Sequence, residues 1–161
     1  MKRLIAFSGK LIFAILCIST SSLQAQDSAS RLLNFYDKGV KAPATMFTGD
    51  VWLNNVVLAP DQLDLLVTTV TFEPGARTVW HMHPGGQALL VTEGKGYYQE
   101  RGKPLRIISR GDVVKCPPGT EHWHGATPDS KLVHIAIVSQ VSKGAAVLKE
   151  KITDEEYKNL K

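Results

Sequence analysis

From Met46 onward the chain repeatedly sets out a short run of β-branched and aliphatic residues and then breaks it with glycine or proline. "LLVTTVTF" (65–72) runs into "EPGA", and "LRIIS" (105–109) runs into "RGD" and then "VVKC" (113–116). "KLVHIAIVSQV" (131–141) reads as a further strand, and "VLKEKI" (147–152) as another. "QALLVTEGKGYYQER" (87–101) reads as a hairpin, with Glu93–Gly96 as the turn between an apolar and an aromatic arm. Short strands with a turn signal at intervals of roughly ten residues specify an all-β sandwich or barrel. One segment departs from this pattern. "TDEEYKNLK" (153–161) predicts a short C-terminal helix, with Thr153 as cap, Glu156 closing a capping box and acids in the first turn.

Ahead of the strands, residues 26–45 are polar and carry no period, which predicts a loose N-terminal arm with at most one helical turn. Residues 46–161 are then one β-barrel domain, as suits a chain of 161 residues. Residues 1–25 have the form of a secretory signal peptide: Lys2 and Arg3, an apolar run from Leu11 to Ile18, a polar Ser/Thr stretch and a small Ala25 before Gln26. The apolar run is far shorter than the ~20 residues of a spanning helix. Export to the periplasm or beyond, with cleavage after Ala25, is therefore expected, and no membrane association afterwards.

Removing that segment changes two inferences. The formal charge of +4 comes from 19 basic and 15 acidic side chains. Lys2, Arg3 and Lys10 leave with the signal and no acid does, so the mature chain is near neutral and lacks the basic footprint that nucleic acid requires. Cys17 leaves too, so Cys116 is the single remaining cysteine and no intramolecular disulfide can form. Its apolar neighbours in "VVKCPP" predict a buried, inert thiol.

The five histidines all fall between residues 81 and 134. On a strand, alternate side chains share a face, so His81 and His83 in "WHMHPGG" point together, as do His122 and His124 in "TEHWHGA". "PGG" turns the chain, and Gln87 opens the next strand, where its side chain can reach back toward the first pair. His134 shares the inward face of its strand with Leu132, Ala136 and Val138. Imidazoles and an amide oxygen around one point would suit a divalent first-row metal. Ligand type alone admits manganese, iron, cobalt, nickel or zinc.

The spacing then becomes specific. Gly75, five residues, His81, one residue, His83, three residues, Gln87, six residues and Gly94 form one motif. Gly111, five residues, Pro117, one residue, Gly119, two residues and His122 form a second. Together they resemble the two motifs of the cupin superfamily, and the likeness runs over about Phe47 to Gln140. It implies a double-stranded jelly-roll β-barrel in which His81, His83 and His122 bind the metal and Gln87 stands where many cupins carry glutamate. Ala126 stands where asparagine is frequent. A neutral amide in place of a carboxylate leaves the full charge on the metal, which should favour anionic ligands such as alkoxide or cyanide.

The stretches "FTGDV", "VTFEPGARTVWHMHPGGQALLVTEGKGYYQ", "GDVVKCPPGTEHWHGATP" and "HIAI" are similar to bacterial cupin hydroxynitrile lyases of the (R)-mandelonitrile type. That resemblance implies a manganese-dependent lyase acting on cyanohydrins, a small-molecule substrate. It implies a general base at His134, or else His124, either of which could instead orient the ligands from behind. Thr68 and Val70 line the substrate pocket by strand parity and by the same resemblance. Val138 also falls there, where those lyases carry a glutamine. Three alternatives share the ligand set: an iron dioxygenase, a non-enzymatic periplasmic cupin that binds a small ligand, and a different retro-aldol or decarboxylation reaction. No nucleotide-binding glycine loop follows a strand, and no serine sits in an elbow motif. By analogy with small cupins, a homodimer or homotetramer is expected.

Overall fold

The structure is a computed structural model that describes residues 34–58 and 63–160. The signal segment and residues 26–33 of the arm, together with the expectations attached to them, lie outside the described residues.

Twelve strands follow in chain order: β1 Val40–Lys41, β2 Phe47–Thr48, β3 Val51–Val57, β4 Leu65–Phe72, β5 Arg77–Thr78 and β6 His81–Met82. Then come β7 Gln87–Glu100, β8 Arg106–Ser109, β9 Val113–Cys116, β10 His122–Ala126, β11 Leu132–Ser139 and β12 Val147–Leu148. Helix α1, Asp154–Lys158, ends the described chain. All named pairings are antiparallel, and they form two facing layers. One runs β1-β3-β4-β11-β7-β9; the other runs β2-β5-β10-β7-β8, with β6 beside β10 and β12 beside β6. This is the expected all-β jelly roll.

Strand β7 belongs to both layers, and here the hairpin expectation is corrected. Gln87–Glu100 is one continuous strand, and Glu93–Gly96 is a bend within it. Its first half pairs with β11 and β9, and its second half with β10 and β8. The pairing with β11 slips between Val133 and His134, and Gly94 adopts φ 77° beside this slip. A bulge and a left-handed glycine together turn a strand's direction without ending it. The reversal lies further on, near Arg101–Lys103, where β7 passes into β8. The "RGD" turn does separate two strands, but β8 and β9 pair with different halves of β7 and not with each other. A second correction concerns the arm: Val40 and Lys41 are not loose, because they pair with Leu53 and Trp52 at the sheet edge.

The period-2 pattern of β11 does what alternation predicts: Leu132, His134, Ala136 and Val138 are buried and the intervening residues half-buried. Phe72, Leu89, Leu132, Ile108 and Val114 are fully enclosed and form the main core. All five residues of β10 are buried. His122, His124 and Ala126 face the interior, while Trp123 packs outside against Ile152 and Tyr157 of the C-terminal segment. Helix α1 therefore covers one sheet face as well as ending the chain. Its capping box forms as expected, with Thr153 Oγ1 accepting from Glu156 N and the Glu156 carboxylate accepting from Thr153 N.

Gly94 tests the bend. A Cβ there would stand 1.8 Å from the Lys131 carbonyl oxygen, at a φ that side chains avoid. Gly94→Ala should cost about 2–4 kcal/mol of unfolding free energy. Urea denaturation of the purified variant checks this, and an unchanged midpoint would remove the bend from its proposed role.

Candidate metal centre

Two turns build the floor of the site. Gly86 N and Gly119 N both donate to the carbonyl oxygen of His83, each at 3.0 Å. The "PGG" and "PPG" stretches are thereby joined at one acceptor, which places the two histidine-bearing segments side by side. In register, His81 on β6 sits directly opposite His122 on β10. The rings of His81 and His122 have centroids 4.3 Å apart, those of His81 and His83 5.0 Å, and those of His83 and His122 5.7 Å. Each contributes a ring nitrogen to a group whose members all lie within 4.8 Å of one another, and all three residues are buried. These three histidines could hold a metal ion.

Their hydrogen bonds determine which nitrogens point inward. Nδ1 of His81 meets the Val79 carbonyl at 2.9 Å, Nδ1 of His122 the Thr120 carbonyl at 2.9 Å, and Nδ1 of His83 the Ala145 carbonyl at 2.5 Å. A carbonyl only accepts, so each Nδ1 carries the proton and each Nε2 keeps a lone pair. Nε2 of His83 is buried and has no hydrogen-bond partner. Gln87 borders the same cavity as His81 and His83 and touches the third ligand: its Oε1 is 3.1 Å from Nε2 of His122. With Oε1 toward the ring two acceptors meet, as around a shared cation, whose adjacent ligands at about 2.1 Å lie about 3 Å apart; with the amide turned over, its Nε2–H donates to the ring instead. The ring itself stays neutral, because burial holds the His122 pKa down at about 4. The donor set fits a divalent metal, and it is neutral throughout.

His134 and His124 form a second, deeper pair. Nε2 of His134 is 3.3 Å from Nδ1 of His124, and their outer nitrogens, His134 Nδ1 and His124 Nε2, have no partner. Two neutral imidazoles carry two protons, and one is shared between the rings. The other sits on an outer nitrogen of one ring, so the pair presents one N–H and one lone pair at its ends. The His124 ring is 5.4 Å from that of His81, which puts the pair beside the ligand group. Phe72 packs against both rings.

A cavity of about 150 Å³ opens between the layers, and no aspartate, glutamate, lysine or arginine lines it. A cavity of about this volume accepts a single benzene ring. Thr68, Val70 and Val138 lie on its wall with Leu53, Leu66, Ala136 and His134, and His81, His83, His124 and Thr78 complete the lining. Thr68 Oγ1 donates to Asn55 Oδ1 at 2.8 Å. Sequence reasoning missed Asn55, although its parity with Leu53 on β3 could have shown it. It also missed Ala146 and Leu148, which close one side, and the Ala145 carbonyl; no side-chain pattern marks a backbone acceptor. Cys116 is buried, and burial pushes its thiol up to about 11, so it is inert as expected.

A two-layer jelly roll enclosing three convergent imidazoles defines a small β-barrel protein equipped to bind a metal. The comparisons make this particular: the chain belongs to the cupin family. The family model for the cupin domain matches residues 68–138. A relative named (R)-mandelonitrile lyase, from Granulicella tundricola, is 46% identical over 118 residues, spanning 73% of this chain and 90% of the relative. The crystal structure of a cupin-like protein from Thermotoga maritima is 51% identical with a TM-score of 0.76, covering 79% of this chain and 96% of that one. A predicted oxalate decarboxylase from Thermotoga maritima shares the fold at 19% identity, with a TM-score of 0.60 over 66% of this chain and 96% of that one.

Burial sets the charge state of the site and its pH response. It lowers the pKa of His81 and of His134 from 6.5 to about 3, and it lowers those of His83 and His124 as well. All are neutral at pH 7, as ligation requires. Below 6.5 the unfolded chain takes up protons that the folded rings refuse, so stability falls with pH from about 6.5 toward 3. At pH 5 the cost is roughly 2 kcal/mol each for His81 and His134. The melting temperature of metal-free protein should drop steadily between pH 7 and 5, before most carboxylates titrate. A flat profile there would mean that the rings protonate inside the fold.

Proposed function

We propose that the chain is a metal-dependent carbon–carbon lyase of the hydroxynitrile type, with manganese as the favoured metal. The observation that carries this is a neutral ligand group with an imidazole pair beside it, both bordering an apolar cavity of single-ring size. The 46% identity to a protein named (R)-mandelonitrile lyase, over 90% of its length, supports it.

His81, His83, His122 and Gln87 would hold the metal, and a bound divalent cation supplies Lewis acidity toward the substrate hydroxyl. The remaining chemistry falls to the chain. The apolar walls take the ring of an aromatic cyanohydrin and exclude water. The free lone pair of the His134–His124 couple accepts the hydroxyl proton. As the carbonyl forms, the bond to the nitrile carbon breaks and its electron pair leaves with cyanide. The imidazolium then returns the proton to give hydrogen cyanide, and both rings are neutral again. Burial makes that imidazolium costly on its own, so the proton is held only while the anion sits beside it. Because Val138 is apolar, the nitrile receives no side-chain donor from that wall position.

Gln87→Glu separates this reading from the dioxygenase alternative. A carboxylate lowers the net charge of the loaded site and weakens the pull on an anionic substrate, while binding the metal at least as tightly. Elemental analysis should show equal or greater manganese retention, and cyanide release from mandelonitrile should fall about tenfold, equivalent to ~1.4 kcal/mol in the barrier. Wild-type protein that releases no cyanide from aromatic cyanohydrins, yet consumes oxygen with a phenolic substrate, would replace the lyase with an oxygenase. Binding of a small ligand with neither reaction would leave the non-enzymatic reading.

Two further parts of the reading concern the whole molecule. We infer export with cleavage after Ala25, from the basic start and short apolar run of residues 1–25. We also infer a homo-oligomer that pairs through the half-buried outward face of β4 and β11, with Val67, Val133, Ile135 and Ile137. Mass spectrometry and light scattering on the exported protein read both. The expected result is a chain starting at Gln26 with the mass of a dimer or tetramer; a retained Met1 or a monomer would refute the respective part.

A further inference from the structure

The three ligand histidines are not oriented in the same way. His81 and His122 each donate from Nδ1 to the carbonyl two residues earlier, Val79 and Thr120, so their own segments hold them. His83 donates to Ala145, 62 residues away, on the C-terminal segment. That segment lies along the site. Strand β12 pairs with β6, placing Leu148 opposite His81, and Lys149 N donates to Trp80 O while Trp80 N donates to Glu150 O.

The segment's far end is fastened by residues outside the cavity. Arg77 is buried, and its Nε and Nη2 donate to the Ile152 carbonyl at 3.3 and 3.0 Å. Nη2 also pairs with Asp154 at 2.5 Å. The guanidinium stands 4.6 Å over the Tyr157 ring, and the Tyr157 hydroxyl donates to the Ala126 carbonyl at 2.5 Å. Ile152 and Tyr157 pack with Trp80 and Trp123. At the near end Gly144 turns the chain at φ 110°, which a residue with a Cβ adopts only under strain.

The geometry points to the C-terminal segment as a positioning element for the metal centre: Arg77 and Tyr157 hold the segment down, and its Ala145 carbonyl orients His83. This rests on the reading of the histidine group as a metal site. If the segment lifts, His83 loses the acceptor for its Nδ1 proton. The ring can then rotate or carry the proton on Nε2, the form that cannot ligate through that nitrogen. His81 and His122 keep their carbonyls, so the loss is partial and specific to one ligand.

The test compares manganese(II) affinity, by chelator competition, in wild type, Tyr157→Ala, Tyr157→Phe, Gly144→Ala and Ile108→Ala. Ile108 lies in the main core away from the segment, so its variant reports general destabilisation. Tyr157→Ala and Gly144→Ala should weaken manganese binding about 10–100-fold, the range for loss of a partner behind a metal ligand. Tyr157→Phe, which keeps the ring on Arg77, should recover most of that loss, and Ile108→Ala should stay near wild type. Wild-type affinity in both Tyr157→Ala and Gly144→Ala, or an equal loss in Ile108→Ala, overturns the proposal. Nitrogen NMR of histidines in metal-free protein gives a second readout. The His83 Nδ1–H signal should be present in wild type and lost in Gly144→Ala and Tyr157→Ala. Should wild type bind no manganese, the metal reading fails by itself and the NMR decides the positioning role. A signal lost in the variants supports that role, and a signal kept overturns it.

Discussion

Five imidazoles buried in one apolar interior set the terms for everything around them. Burial forbids their charged forms, and each neutral ring has one proton to donate and one lone pair to satisfy. The protein spends three of those protons on backbone carbonyls and one between His134 and His124. What remains is one outer N–H of that pair and a set of lone pairs, among them the unpartnered Nε2 of His83. Buried polar atoms left in this way cost stability, and several of them converging on one point suit a site completed by a ligand.

The backbone is arranged to present that set. Strand β7 ties the layers together, carrying Gln87 at one end and pairing with β10, which bears His122 and His124, at the other. The two proline–glycine turns meet at the His83 carbonyl, so the ligand segments are fixed relative to each other before any metal arrives. Opposite them, β4 and β11 supply an apolar wall in which His134 is the one imidazole. The hydrogen-bonded floor and the apolar wall together enclose a space from which a bound small molecule would exclude water.

Much of this was legible in the sequence because it depends on local spacing. Period-2 alternation placed His134 inward beside Ala136 and Val138, and the i, i+2 pairs placed His81 with His83. Thr68 and Val70 reached the cavity wall by the same parity. Where partners are distant, the local reading failed. "TEGKG" has the composition of a turn, yet both halves of β7 find better partners elsewhere, so the glycines bend the strand instead of reversing it. Asn55 met Thr68 only through the pairing of β3 with β4.

The sequence by itself determined the β architecture, the capped C-terminal helix and the identity of the inward imidazoles. Side-chain periodicity, turn chemistry and motif spacing act over a few residues and need no knowledge of the rest of the chain. Only the tertiary structure decided that Gln87 faces His122, that His124 and His134 share a proton, and that residues 144–152 complete the site. Those contacts join residues between 10 and 62 positions apart. One of them depends on a carbonyl of Ala145, and every residue has a carbonyl, so nothing in its side chain marks the role.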